Sequence, residues 1–155
     1  MAGIELGNWV LENNLDVEIV NTCASSCANH VFPAGKRKIL NSDAVLLWHG
    51  SSFQPDIDAL VQSGDQFAQE WRETETTFWK RIGLSPNIAT CGLSQAPAFG
   101  RLLHLLRITS LKGFDYSIKD MHRFGLTGVD VSGGQWSGTT SGKFRGAFRA
   151  KFCKK

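Results

Sequence analysis

The order of apolar runs along the chain predicts an α/β layer fold. Two short runs, residues 17–21 and 44–48, have the length and composition of strands, and the second is apolar throughout. Helical stripes separate and follow them, most clearly from Asp56 onward. Together the pieces read strand, helix, strand, helix, helix, strand, which is the order of a layered α/β domain. With 155 residues, 42% of them hydrophobic and 20% charged, the chain fits one domain able to bury a core.

Taken in order, residues 3–13 read as a helix. Ile4, Leu6, Trp9 and Val10 give it an apolar face, and Asn13-Asn14 ends it. A β-branched strand follows at 17–21. Ser25 or Ser26 then caps a helix running to about Phe32, where Pro33 breaks it. Gly35-Lys-Arg-Lys is a turn, Ile39-Leu40 a short strand, and 44–48 a buried strand. From Asp56 a helix of some 25 residues is expected, with Ile57, Leu60, Val61, Phe67, Trp71, Phe78 and Ile82 on its apolar stripe. That is long for a globular helix, so a kink at Gly64, projection from the domain, or packing on a partner subunit is expected. Residues 85–97 read as a loop, and 101–111 are apolar and of either type. Ser117-x-x-Asp120 opens another helix that Gly125 stops, and 126–131 form the last strand.

Beyond residue 131 the composition changes. Residues 132–155 are rich in glycine and carry six Lys or Arg with no acidic residue. Phe144, Phe148 and Phe152 recur every four residues there. The favoured expectation is a basic, loosely packed C-terminal tail outside a domain of residues 1–131. The other is an amphipathic element for a membrane surface or an RNA backbone. The net charge of +3 is too small to imply a nucleic-acid partner by itself. No apolar run is long enough for a membrane span, and no basic-apolar-small leader is seen at Met1. Cytoplasm and periplasm both remain open. The four cysteines lack metal-ligand spacing, so neither a metal nor another cofactor is expected. Cys23 and Cys27 flank a strand-to-helix corner and suit a disulfide. A Cys27–Cys91 bond and buried free thiols are the alternatives.

The chemistry concentrates in Asn21-Thr-Cys-Ala-Ser-Ser-Cys-Ala-Asn-His30 and in His49. A serine hydroxyl needs a base to take its proton, a third group to fix the base, and oriented N–H groups for the oxyanion. Ala24-x-Ser26-x-Ala28 places a serine between small residues at a tight corner, where the next N–H groups sit at the positive end of a helix. Each residue alone has a plain structural reading: the serines as helix caps, His49 as a strand-end histidine. Their pairing at the ends of two strands points to a serine-hydrolase-like site.

The runs Ala2-Gly3, Asp16-Val17, Cys23-Ala-Ser-Ser-Cys-Ala28, Ala34-Gly35-Lys-Arg-Lys and Ala44-Val-Leu-Leu-Trp-His49, in this order and spacing, resemble the Clp proteolytic subunit. The wider group is the ClpP/crotonase-like superfamily of serine peptidases. Ser117-x-x-Asp120 with Phe124-Gly125-Leu126 is similar to that family's closing helix and strand. The resemblance, covering residues 2–131, implies a partial ClpP/crotonase-like layered fold that lacks its first strands. It implies Ser26 as nucleophile, His49 as base and the Cys27 N–H as an oxyanion donor. The family's acid falls near Gly113, and Asp115 is the nearest candidate. Asp120 reads as a helix cap and Glu75 as an outside candidate. A serine–lysine dyad, as in some relatives, would use Lys36 or Lys38. The family's Gly-Gly oxyanion turn would lie just before Met1, so an N-terminal truncation is expected. A peptide or protein substrate and a homo-oligomer, with the helix after Asp56 as the oligomerising element, are also implied. The competing expectations are a non-catalytic domain of this fold and acyl-CoA chemistry of the crotonase type.

Overall fold

The computed structural model describes residues 1–96, 112–141 and 146–154. The expectation for residues 101–111 lies outside them. The fold is mixed α/β with small parallel sheets.

The first helix, α1 (Ala2–Glu12), turns Ile4, Gly7 and Val10 inward at helical spacing. Two short strands follow, β1 (Val17–Ile19) and β2 (Thr22–Ala24), where one was expected. The chain then turns into a π-helical turn, Cys27–Val31, continued by the short α2 (Phe32–Ala34). Pro33 helps to explain the turn. An α-helix would send the N–H of residue 33 to the carbonyl of Asn29, but proline has none. That carbonyl instead accepts the Trp79 indole N–H at 3.0 Å, which ties the turn to a distant helix.

Strands β3 (Lys38–Asn41) and β4 (Val45–Leu47) occupy the expected stretches. Strand β1 pairs with β3, and β3 pairs with β6 (Val129–Ser132), all parallel. Strand β2 pairs in parallel with β4, Ala24 against Leu47. A third parallel pair joins β5 (Gly113–Asp115) to β7 (Ala147–Arg149). Trp48 and Phe114 exchange two backbone hydrogen bonds of 2.8 Å, an antiparallel bridge that links the second pair to the third.

The long helix breaks at Gly64 into α3 (Pro55–Gln62) and α4 (Gln66–Ile82). Gly64 takes a positive φ of 85°, and Asp65 restarts the helix by accepting the Ala68 N–H. Gly83, in the left-handed region, stops α4. The expected apolar stripe is buried only on the second piece. α3 buries no residue, while α4 buries Ala68, Glu75, Phe78 and Trp79. The stretch expected as a loop after residue 85 forms α5 (Asn87–Thr90) and a 3-10 turn, Cys91–Gln95. Ser117 caps α6 (Ile118–Arg123) through the Asp120 N–H, as the motif predicts.

The described residues of the C-terminal stretch do not form a loose tail. Trp136 is buried and donates its indole N–H to the Ala44 carbonyl at 2.7 Å. Phe148, Phe152 and Cys153 pack against the core, and Cys153 is disulfide-bonded to Cys91. Glycines hid this from the sequence pattern, because the stretch is held by tertiary partners rather than by a periodic face. The described aromatics of the four-residue repeat, Phe148 and Phe152, are half-buried against the core.

Candidate active site

Because Ala24 pairs with Leu47 in parallel, the residues just beyond them leave the sheet at one edge. Those residues include Ser26 on one strand exit and His49 on the other. Between β2 and the π-helical turn, Ser25 takes φ 58°, a left-handed conformation that costs a serine roughly 1–2 kcal/mol. It is held there by two backbone bonds. Its N–H donates to Leu47 O at 3.2 Å, and its carbonyl accepts the Asn29 N–H at 2.8 Å. The disulfide between Cys23 and Cys27, with Cα atoms 5.3 Å apart, spans the same corner. The Cys27–Cys91 alternative does not occur, since Cys91 pairs with Cys153.

The strained corner presents Ser26 outward. Ser26 is exposed, and although it stands at the N-cap its side chain caps nothing. The plain reading of this serine as a helix cap is therefore not what the structure shows. It lines a cavity of about 480 Å³ with Ser25, Asn29, His30, His49 and the first turn of α1. The aromatic rings of Phe67 and Trp71, 6.4 Å apart, border the same space. The Cys27 N–H begins the π-helical turn directly after Ser26, at its positive end.

His49 lines this cavity from an exposed position, and its ring makes no hydrogen bond among the described residues. Asp115 does not reach it. Phe114 lies opposite Trp48, so Gly113 stands beside His49 and Asp115 beside Leu47. A Cβ on Gly113 would lie 3.4 Å from His49 Cβ but only 2.4 Å from the Trp48 carbonyl oxygen, and φ there is 144°. The backbone thus excludes a side chain at the position next to the imidazole. Asp115 is fully buried, and its four acceptor positions are filled. Thr139 donates from its N–H and its hydroxyl, each at 2.7 Å, and Arg149 from Nε at 2.6 Å and Nη2 at 3.0 Å. The expectation that Asp115 orients His49 is corrected accordingly. Its carboxylate anchors the C-terminal stretch.

Lys36 and Lys38 line a different cavity, beside Pro33 and Ile82. Burial lowers the Lys38 ammonium below its ordinary range, but neither lysine borders the Ser26 cavity. Asp120 stays at the start of α6, bonded to Ser117.

A second histidine lies at the cavity, unremarked in the sequence. His30 is buried, and its Nε2 stands 2.8 Å from Glu75 Oε1. Glu75 is fully buried, and its other oxygen accepts the Ser52 N–H at 2.8 Å. Trp79 stacks on the imidazole and Phe78 meets it edge-on, at 6.1 and 5.5 Å between centroids. His30 Nδ1 is buried without a hydrogen-bond partner among the described residues. Two sequence signals bear on this pair. His30 follows Ser26 by four residues, one helical turn, and Glu75 is a charge on the apolar face shared with Trp71, Phe78 and Trp79. Among the described residues no group of three His, Cys, Asp or Glu side chains is placed to hold a metal ion.

No protein-family model matches the chain, and neither a curated protein nor a solved structure matches it.

Proposed function

We propose that this chain is a serine hydrolase of the peptidase type, built on a partial ClpP/crotonase-like layered fold. One observation carries the reading: Ser26 sits on a strained strand-to-helix corner, exposed and uncapped, in a cavity bordered by two imidazoles. Ser26 Oγ would attack the carbonyl carbon of a peptide or protein substrate while an imidazole takes its proton. The oxyanion would face the Cys27 N–H. Collapse of the tetrahedral adduct breaks the C–N bond, and the imidazolium returns its proton to the leaving nitrogen. Water then hydrolyses the ester and frees Ser26. The resemblance further proposes self-association. Exposed Leu6 and Trp9 on α1 and Phe67 on α4 are apolar surfaces available for it.

A fluorophosphonate probe tests the reading. Labelling of the chain is expected, lost in Ser26→Ala and kept in Ser25→Ala. An unlabelled wild-type chain would sink it. The second reading is a non-catalytic interaction domain of the same fold. It is favoured by the resting geometry, in which Ser26 makes no hydrogen bond to either imidazole among the described residues.

A further inference from the structure

We infer that the base serving Ser26 is His30, held in position by Glu75. The inference rests on the reading of Ser26 as nucleophile. The Glu75 carboxylate accepts from His30 Nε2, which fixes the tautomer with its proton on Nε2 and leaves Nδ1 as a bare acceptor. The stacked Trp79 and the edge of Phe78 hold the ring plane. A buried acceptor without a partner costs free energy, and native structures rarely leave one unexplained. The donor that answers it is one helical turn away. A Cβ placed on Gly3 would lie 3.0 Å from Ser26 Oγ and 3.3 Å from His30 Nδ1, so the two atoms flank one point. Glycine at position 3 puts only a hydrogen there, where any other residue would place a carbon. Ser26 breaks no capping bond when it turns about its Cα–Cβ bond toward His30. Catalytic hydrogen bonds are often open before substrate binds and tighten with it. His49 lies at the same cavity but has no third group to hold its ring among the described residues.

In the step assigned here, the bond from Ser26 Oγ to the substrate carbonyl carbon forms as the hydroxyl proton passes to His30 Nδ1. Glu75 then faces an imidazolium. The same proton leaves Nδ1 for the substrate nitrogen as the C–N bond breaks.

The test measures the fluorophosphonate labelling rate of the full chain, together with histidine ¹⁵N NMR spectra. His30→Asn is expected to slow labelling by about 100-fold or more, the scale of a lost general base. His49→Asn is expected to lose less than about tenfold, and Glu75→Gln is expected to fall between the two. The spectra need no substitution, which covers the case of a His30 variant that fails to fold. They should show His30 as the Nε2–H tautomer, with Nδ1 shifting once Ser26 carries the phosphonyl group. His30→Asn labelling at the wild-type rate, or His49 shifting in place of His30, would overturn the assignment and leave the Ser26 reading standing. Failure of the wild-type chain to label would overturn both.

Discussion

Glu75 holds His30 by a 2.8 Å contact from Oε1 to Nε2, and both side chains are buried between α4 and the π-helical turn. The same carboxylate accepts the Ser52 N–H. Glu75→Ala would leave two buried donors without acceptors, at about 1–3 kcal/mol each, so a loss of roughly 3–5 kcal/mol is expected. Glu75→Gln keeps the shape and one acceptor, and should cost about 1–3 kcal/mol. Urea unfolding followed by tryptophan fluorescence measures both, and equal losses would contradict the geometry.

Gly3→Ala probes the space between α1 and the nucleophile corner. The added methyl would meet Ser26 Cβ at 2.5 Å, closer than packed carbons come. Alanine gains up to about 1 kcal/mol of helix propensity over glycine. Overpacking costs about 1–3 kcal/mol, so a small net destabilisation is expected. Fluorophosphonate labelling should fall by more than about tenfold, because Ser26 is pushed from its place. Unchanged labelling would show that α1 does not shape the site.

Asp115 gives the opposite pattern. Arg149→Ala takes two hydrogen bonds from a fully buried carboxylate and leaves it no paired cation among the described residues, and a loss of about 3–5 kcal/mol is expected. Thr139→Val removes the hydroxyl bond and should cost about 1–3 kcal/mol. Neither side chain borders the Ser26 cavity, so Thr139→Val should label within about twofold of wild type in native buffer. A large labelling defect in that folded variant would return Asp115 to the catalytic candidates.

These residues mark how far the sequence could be read. The strands at 17–19 and 45–47 were legible because β-branched and aliphatic runs have few other uses. The break at Gly64, the Ser117 cap and the closeness of Cys23 to Cys27 were legible because each depends on local backbone chemistry. Ser26 and His49 at one cavity were legible for a related reason: parallel strand ends gather there. The His30–Glu75 contact spans 45 positions and exists only when α4 docks on the π-helical turn. Its trace was a carboxylate on an apolar stripe. The partners of Asp115, Thr139 and Arg149, were not legible because they lie in a glycine-rich stretch with no periodic face. The Cys91–Cys153 pairing likewise cannot be deduced from spacing.

The two disulfides should differ in what they contribute. Cys91–Cys153 closes a separation of 62 residues and fastens the C-terminal stretch to the core. Loop-closure entropy puts its contribution at about 4 kcal/mol. Cys23–Cys27 spans a separation of only four residues, and the same reasoning gives about 2 kcal/mol. Replacing each pair by serine and comparing urea midpoints tests the order. The reverse order would mean that the nucleophile corner, and not the C-terminal stretch, depends more on its bridge.

The burial of Tyr116 predicts a loss of stability at alkaline pH. It is the chain's single tyrosine, fully buried, and its hydroxyl oxygen accepts the Gly92 N–H at 3.1 Å. Burial raises its pKa well above the ordinary phenol value, the Asp120 charge adds to the rise, and the Gly92 N–H opposes it. The folded state therefore keeps the phenol neutral at pH values where the unfolded chain, with a pKa of about 10, has ionised. The sign follows directly. The contribution of Tyr116 to stability is full below about pH 10 and is lost progressively as pH rises toward the folded value. In an absorbance titration at the tyrosinate band, no signal should appear near pH 10 in the native protein. It should rise together with the loss of tertiary structure. Tyr116→Phe removes the acceptor of a buried N–H, which costs about 1–3 kcal/mol at neutral pH, and it should flatten the alkaline branch. A tyrosinate signal near pH 10 with the fold intact would show that the ring is reached by water.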